Sequence, residues 1–311
     1  MNLEKISEEF ESISSHQWKE LITKELGKPL AESNWIIEPG LEISPFVHPD
    51  DLDFLPFNLE NLKKDQDWKS AEYYNPQWEY LNHPDIFFLT DTQKDNPQRF
   101  PKVEWRKIYK SKLHQSEDIK SEFISSGIPS FFDQVTSNFV LQPKNYTRPG
   151  SESILIKTYF EEAFIFFGNP ENAASKISVR LILSDHFFLN IARIRAVYLL
   201  WYEMFQTSIF PEISAITSPI LEKSNPYEEL ISLTLKASSA AIGGANVIVL
   251  SNPFELAPKI EDQSNGRRLA YNIHQILKWE VGLNQHIDPA HGSFYLELLT
   301  RKIVDFTKKS L

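Results

Sequence analysis

The chain has 311 residues, a formal net charge of −10 and no cysteine. That acidity makes nucleic acid and anionic membrane surfaces poor partners. The missing thiols exclude disulfides, thiolate metal sites and cysteine nucleophiles. Hydrophobic residues make up 41% and aromatics 13%, which supplies a large core and excludes disorder as the main state.

The opening segment, Met1 to Phe10, is acidic and polar, unlike a signal peptide. Residues 15–26 predict a helix, capped by Ser15, striped by Trp18, Leu21, Ile22 and Leu26, and stopped at Gly27. Trp35–Ile37 and Leu41–Ile43 predict two short strands around a Pro39-Gly40 turn. Residues 1–54 therefore form an arm, and the polar stretch 49–76 reads as a connection. Short apolar runs follow at Ile86–Leu89, Ser130–Phe132, Asn138–Leu141 and Ile154–Ile156. The stretch Phe164–Phe167 fits a strand or a helix. The apolar runs fall far short of the ~20 residues of a membrane helix, so a soluble, cytoplasmic protein is expected.

The last third is clearer. Ile177–Leu183 predicts a buried strand, capped into a long helix by Ser184 or Asp185, with Phe187, Ile191, Ile194, Tyr198, Trp201 and Phe205 on one face. Ile213–Thr217 predicts the next strand. Asn225, Pro226 and Glu228 open a helix that stops at Gly243-Gly244. Val247–Leu250 predicts another strand. Helices follow over about 267–279 and 294–309. Alternating continuous apolar strands and helices imply a parallel sheet covered by helices, with barrel and open sheet equally compatible.

Chemistry-bearing motifs are sparse. No Gly-rich phosphate cradle is present. His286 and His291 flank Asp288 without a third ligand, so no metal site is expected. His186 follows a strand end, where barrel active sites collect, although a polar helix-start residue explains it as well. Asp185, Glu203 and Glu280 are isolated carboxylates.

Four stretches, in order, resemble the methylmalonyl-CoA mutase family. They are Phe187 to Trp201 with Arg195-Ala-Val, Ala240 to Leu250 with Gly243-Gly244, Arg268 to Leu277 with Asn272, and Asp288-Pro289-Ala-His-Gly292-Ser293-Phe-Tyr. Trp18 and Gly40 to Phe46 resemble the family's opening arm. The resemblance implies a (β/α)8 TIM-type barrel over 55–311, with an element lost or reduced within 55–176. It also implies adenosylcobalamin-dependent interconversion of methylmalonyl-CoA and succinyl-CoA. It gives Arg195, Trp201, Gly243, Gly244, Arg268, Asn272, Asp288, Pro289, Gly292 and Ser293 structural roles.

This chain departs from the family where chemistry is expected. No Asp-x-His-x-x-Gly cobalamin loop occurs, and no cobalamin-binding domain is expected before Leu311. The family's His-x-Gln-Thr-Ser-Gly aligns with Ser214-Ala-Ile-Thr-Ser-Pro219, so its His is Ser214, its Gln Ile216 and its Gly Pro219. A family Arg downstream aligns with Ser232, whereas Thr217, Ser218, Pro226 and Tyr227 are kept. Val179, Leu181 and Leu183 share one strand face, as do Val247 and Val249. If these point inward, the interior is filled.

The resemblance therefore implies a non-catalytic small subunit, with cobalamin on a catalytic partner chain in a heterodimer. Two alternatives stand. One is an acyl-CoA mutase barrel that works with a separate cobalamin-binding chain. The other is a structural or ligand-binding homo-oligomeric barrel. No residue is assigned a catalytic role. His186, Ser214, Thr217, Ser218 and Asn246 are candidates for a substrate pocket.

Overall fold

The computed structural model describes residues 13–54, 56–63, 65–73, 84–89, 102, 104–107, 130–133, 138–141, 149–217 and 225–309. The arm opens with α1 (Ser15–Leu26), capped one residue earlier than expected by a Ser14–Gln17 capping box and closed by Gly27 at φ 66°. Ser15 Oγ donates to Asp51 at 2.9 Å and Lys19 pairs with the same carboxylate, which ties α1 to residues 49–51. Strands β1 (Trp35–Glu38) and β2 (Leu41–Ile43) form the expected hairpin. Gly40 turns it at φ 87°, and a β-carbon there would press to 3.3 Å from the Phe306 ring.

Eight strands form one sheet: β3 (Lys69–Tyr73), β4 (Ile86–Leu89), β5 (Glu104–Lys107), β6 (Ser130–Asp133), β7 (Asn138–Leu141), β8 (Ile177–Ile182), β9 (Glu212–Ile216) and β10 (Val247–Val249). Their order is β5-β4-β3-β10-β9-β8-β7-β6. All neighbours are parallel except β6 and β7. Helices α2 (Pro149–Phe167), α3 (Pro170–Lys176), α4 (Phe187–Phe205), α5 (Pro226–Gly243), α6 (Ile260–Gln275) and α7 (Phe294–Lys309) follow, with a π-helical turn at Ile276–Glu280.

Several expectations are corrected. The molecule is α/β with a largely parallel sheet, but among the described residues the sheet is not closed, because β5 and β6 stand at its two ends. Among the described residues the sheet has eight strands. The β/α alternation breaks at β6–β7, whose antiparallel pairing needs no crossover helix. Ile154–Ile156 is not a strand. It lies inside α2, which starts at Pro149, where proline is tolerated, and runs without a breaker through Phe164–Phe167 to Gly168 at φ 78°. Residues 69–73 of the supposed connection form β3, between β10 and β4. Its apolar signal is hidden because Ser70 and Glu72 are buried with partners, Asp85 and Arg267. Helix α6 starts at Ile260, earlier than expected. Its cap, Lys259, makes no side-chain bond, and only Glu261 and Asp262 mark the first turn by complementing the helix dipole.

The two sheet faces differ. Ile177, Val179, Leu181, Ile213, Ala215 and Ile248 cluster with the helices, packing against residues such as Ala192, Ala240 and Leu299. Ala71, Ile86, Ile216, Val247 and Val249 form a separate cluster on the opposite face. Val179, Leu181 and Leu183 therefore face the helices, while Val247 and Val249 lie on the opposite face of the sheet. On β8 the residues of the far face are Ser178 and Arg180, because side chains alternate along a strand.

Helix α4 is buried continuously from Leu189 to Trp201, not along one stripe. It lies against the sheet on one side, and α5 and α7 cover others, so an all-round apolar sequence is required. Close packing also fixes Gly266 within α6. A β-carbon there would overlap Asn252 Oδ1 and stand 2.7 Å from Phe254 Cβ. Gly266→Ala is expected to cost about 1–3 kcal/mol through overpacking, read as a lower denaturation midpoint with unchanged slope.

Candidate functional site

Parallel sheets present function at the carboxyl ends of their strands. Three segments supply that rim. After β8, Asn190 pins Ser184: its Oδ1 accepts from the Ser184 N–H at 2.9 Å and its Nδ2 donates to Ser184 O at 2.9 Å. Asp185 pairs with Lys236 at 2.8 Å, which holds its carboxyl below the usual range. His186 caps α4 without a side-chain cap bond, and its exposed ring packs 4.8 Å from that of Trp35. After β9, Thr217 donates its N–H to Val249 O at 3.0 Å, and its Oγ1 accepts the Ser251 N–H at 2.7 Å. Thr217 Oγ1 and Ser251 Oγ lie 3.1 Å apart, joining the ends of β9 and β10.

Ser214 lies deeper on β9, buried to 1% exposure, in register with Arg180 on β8 and Val247 on β10. It shares its face with the packed cluster of Ile216, Val247, Val249, Ala71 and Ile86. Arg180 is itself only 2% exposed. Its signal in the sequence is one cation inside a β-branched buried strand, Ile177-Ser-Val-Arg-Leu-Ile182.

The structure does not bring all the candidates together. Ser214 and Thr217 share β9 and its end, and His186 follows the neighbouring strand. Ser218 lies outside the described residues. Asn246 stands at the opposite end of the sheet, before β10. Its Oδ1 accepts the Ile213 N–H at 2.8 Å, its N–H donates to Ile213 O at 2.8 Å, and its carbonyl accepts the Lys69 N–H at 2.9 Å. Tyr198 Oη, 3.3 Å from Asn246 Oδ1, donates to Gly244 O at 2.7 Å, and Lys63 Nζ donates to the same carbonyl at 2.8 Å. Burial lowers Lys63 to about 8 against the pull of Asp65 and Asp288.

The motif residues assemble a buried ionic staple. Arg195 Nη2 meets Asp288 Oδ2 and Glu297 Oε1, both at 2.9 Å, and donates to Phe57 O at 2.8 Å. Glu297 accepts the Gly292 N–H at 3.1 Å and the Phe57 N–H at 3.3 Å. Burial raises the Asp288 carboxyl, and Arg195 opposes that rise. The turn needs Asp288 at φ 50° and Gly292 at φ 78°. Pro289 lies within it, and Ser293 O receives the first helical N–H of α7, from Glu297 at 2.8 Å. His291 Nδ1 lies 3.4 Å from Glu297 Oε1, and His286 is exposed.

Trp201, fully buried, donates Nε1–H to Ile209 O at 2.9 Å. Gly243 lets α5 approach α4, since a β-carbon would stand 3.0 Å from Ile194 Cβ, and Gly244 ends α5 at φ 90°. On α6, Arg268 is exposed and Asn272 half-buried. The buried arginine is the neighbouring Arg267, bonded to Glu72 at 2.8 Å.

Asp288 and His291, the pair nearest to a cobalamin loop in sequence, do not fit adenosylcobalamin. That group would need a histidine donor held by an aspartate, whereas Asp288 is committed to Arg195 and His291 faces Glu297. Among the described residues, no helix is long and apolar enough to cross a membrane.

The family model for methylmalonyl-CoA mutase matches residues 158–311. The chain is similar to the methylmalonyl-CoA mutase small subunit of Streptomyces virginiae, 32% identical over 149 residues, covering 45% of this chain and 24% of that protein. It is similar to the small subunit from Propionibacterium freudenreichii subsp. shermanii, 31% identical over 140 residues, 43% of this chain and 22% of that protein. The methylmalonyl-CoA mutase of Rhizobium meliloti (strain 1021) is 25% identical over 195 residues, 59% of this chain and 27% of that protein. The chain thus spans about a quarter of the length of these curated relatives. Residues 158–311 match the methylmalonyl-CoA mutase family model, and the chain resembles that family's small subunit.

Proposed function

We propose that this chain is a non-catalytic, small-subunit-type member of the family, working in the cytoplasm beside a catalytic chain that carries cobalamin. One observation carries the reading. Ser214 stands where the family's reactive histidine aligns, buried beside a packed cluster of Ile216, Val247 and Val249. A hydroxyl in that setting offers no group for holding a thioester, while the Arg195 staple and the Gly243-Gly244 crossing keep the scaffold.

The closed (β/α)8 barrel belongs to the same proposal. It is supported by the parallel pairing of β3, the first strand of the sheet in chain order, with β10, the last. In the Rossmann-type doubly wound order those two strands are not neighbours. Native mass spectrometry of the chain isolated from its own cell tests the proposal, with a one-to-one complex with a cobalamin-bearing chain as the expected result. A solitary chain, or a homo-oligomer alone, overturns it.

Arg180 favours a second reading, binding of an acyl-CoA, because its buried cation shares the face of Ser214. Titration calorimetry with succinyl-CoA against free CoA separates the two readings. Heat that requires the acyl group and vanishes in Thr217→Ala or His186→Ala selects the second. Arg195, Trp201, Gly243, Gly244, Asn272, Asp288, Pro289, Gly292 and Ser293 are proposed as scaffold.

A further inference from the structure

The Arg195 staple carries unequal charge. Asp288 and Glu297 bring two buried carboxylates, and one guanidinium meets them both. Backbone donors complete the shell among the described residues. Leu59 N–H donates to Asp288 at 3.4 Å, and Gly292 and Phe57 N–H donate to Glu297 at 3.1 and 3.3 Å. Amide dipoles ease a buried charge without cancelling it.

One further side chain is within reach. His291 Nδ1 lies 3.4 Å from Glu297 Oε1, and its imidazole is 38% exposed. The turn holds it in place. His291 N–H donates to Asp288 O at 2.9 Å, and Ser293 N–H donates to Ala290 O at 3.2 Å. The other titratable groups around the turn have their own settings. Lys63, which feels Asp288, donates to Gly244 O at 2.8 Å. Glu60 on the same connection and His286 ahead of the turn are exposed. Tyr295 packs against the cluster of Ile191, Ala290 and Leu296, and burial raises its hydroxyl, so it stays neutral.

We propose that His291 is a proton-operated latch on the turn that opens α7: charged, it gives Glu297 a second cation, and neutral, it leaves Glu297 to Arg195 alone. The sign follows from the charges. Two carboxylates against one guanidinium leave an excess of negative charge, which attracts a proton to the ring. The positive end of α7 opposes this with roughly half a charge, less than the full charge of Glu297 at 3.4 Å. The exposed ring takes its proton from solvent, whereas Asp288 and Glu297 are sealed. An imidazole changes its charge across the range around neutrality. A cation that gains a partner on folding stabilises the fold at low pH, and that contribution is lost as pH rises. The step is protonation of a ring nitrogen by solvent, with no other reactant. Helix α7 also carries the hairpin, through Lys302 bonded to Glu42 O at 2.9 Å and Phe306 beside Gly40. The latch therefore tightens the seat of the arm as well.

The Gly292 and Phe57 amides, both bonded to Glu297, report on the latch. Their protection from hydrogen exchange, corrected for intrinsic rates, should rise about threefold from about pH 8 to about pH 6, the size expected of a half-exposed ion pair. His291→Gln, at an exposed turn position, should remove that dependence. Burial also raises Asp288, which acts in the same direction. Asp288 stays in place in His291→Gln, so the variant separates the two carboxylate and imidazole contributions. His291→Lys, charged throughout, should keep the higher protection at about pH 8. Equal wild-type protection at both pH values, or a pH dependence that survives His291→Gln, overturns the proposal.

Discussion

Arg195→Met is expected to destabilise the fold by about 3–5 kcal/mol, the cost of leaving buried carboxylates without their cation. Asp288 and Glu297 are 4% and 1% exposed, and both lean on one guanidinium nitrogen. The staple joins four segments: Phe57 of the arm connection, α4, the Asp288 turn and the start of α7. Its loss should free α7 and the hairpin resting on it. Thermal unfolding would read the loss directly. The pH dependence identifies its cause. Asp288 is already raised by burial, with Arg195 pulling it back. Without Arg195 the rise is larger, so the variant's stability should fall as pH rises toward 8 and recover toward pH 5. A deficit equal at both pH values would mean lost packing instead of an unpaired charge. Adding Glu297→Gln should recover part of the loss, because a neutral amide costs less to bury.

Trp201→Ala should cost about 3–5 kcal/mol, the range for deleting a large buried aromatic. Trp201 is fully buried, with ring centroids 4.7 Å from Phe160 and 4.6 Å from Phe205, so it joins α2 to α4. Its Nε1–H also holds Ile209 O, which fixes the turn that feeds β9. Trp201→Phe should cost distinctly less, since it keeps the ring and loses that bond. Chemical denaturation of both variants checks this. Equal midpoints for the two would show that the hydrogen bond, not the packing, matters.

The elements that could be read from the sequence carry their own local signals. Helix α1 has its apolar stripe and Gly27, α5 has Asn225-Pro226 at one end and Gly244 at the other, and β8, β9 and β10 are short apolar runs. The elements misread were those whose signal depends on distant partners. Strand β3 looked polar because Glu72 is answered by Arg267, 195 positions later. Ile154–Ile156 looked like a strand because an apolar triplet has no period to measure. Arg180 is not legible in the sequence, because nothing local says what a buried cation faces.

The sequence by itself settled the composition class, the alternation of strands and helices from β8 onward and the family motifs, all of which rest on neighbours within a few positions. Only the tertiary structure decided which strand face meets the helices, since a strand alternates sides every residue and its register is set by other strands. It also decided that Arg195, Asp288 and Glu297 form one buried staple, and that Asn246 sits at the end of the sheet away from Thr217. Burial and charge compensation are properties of distant segments brought into contact.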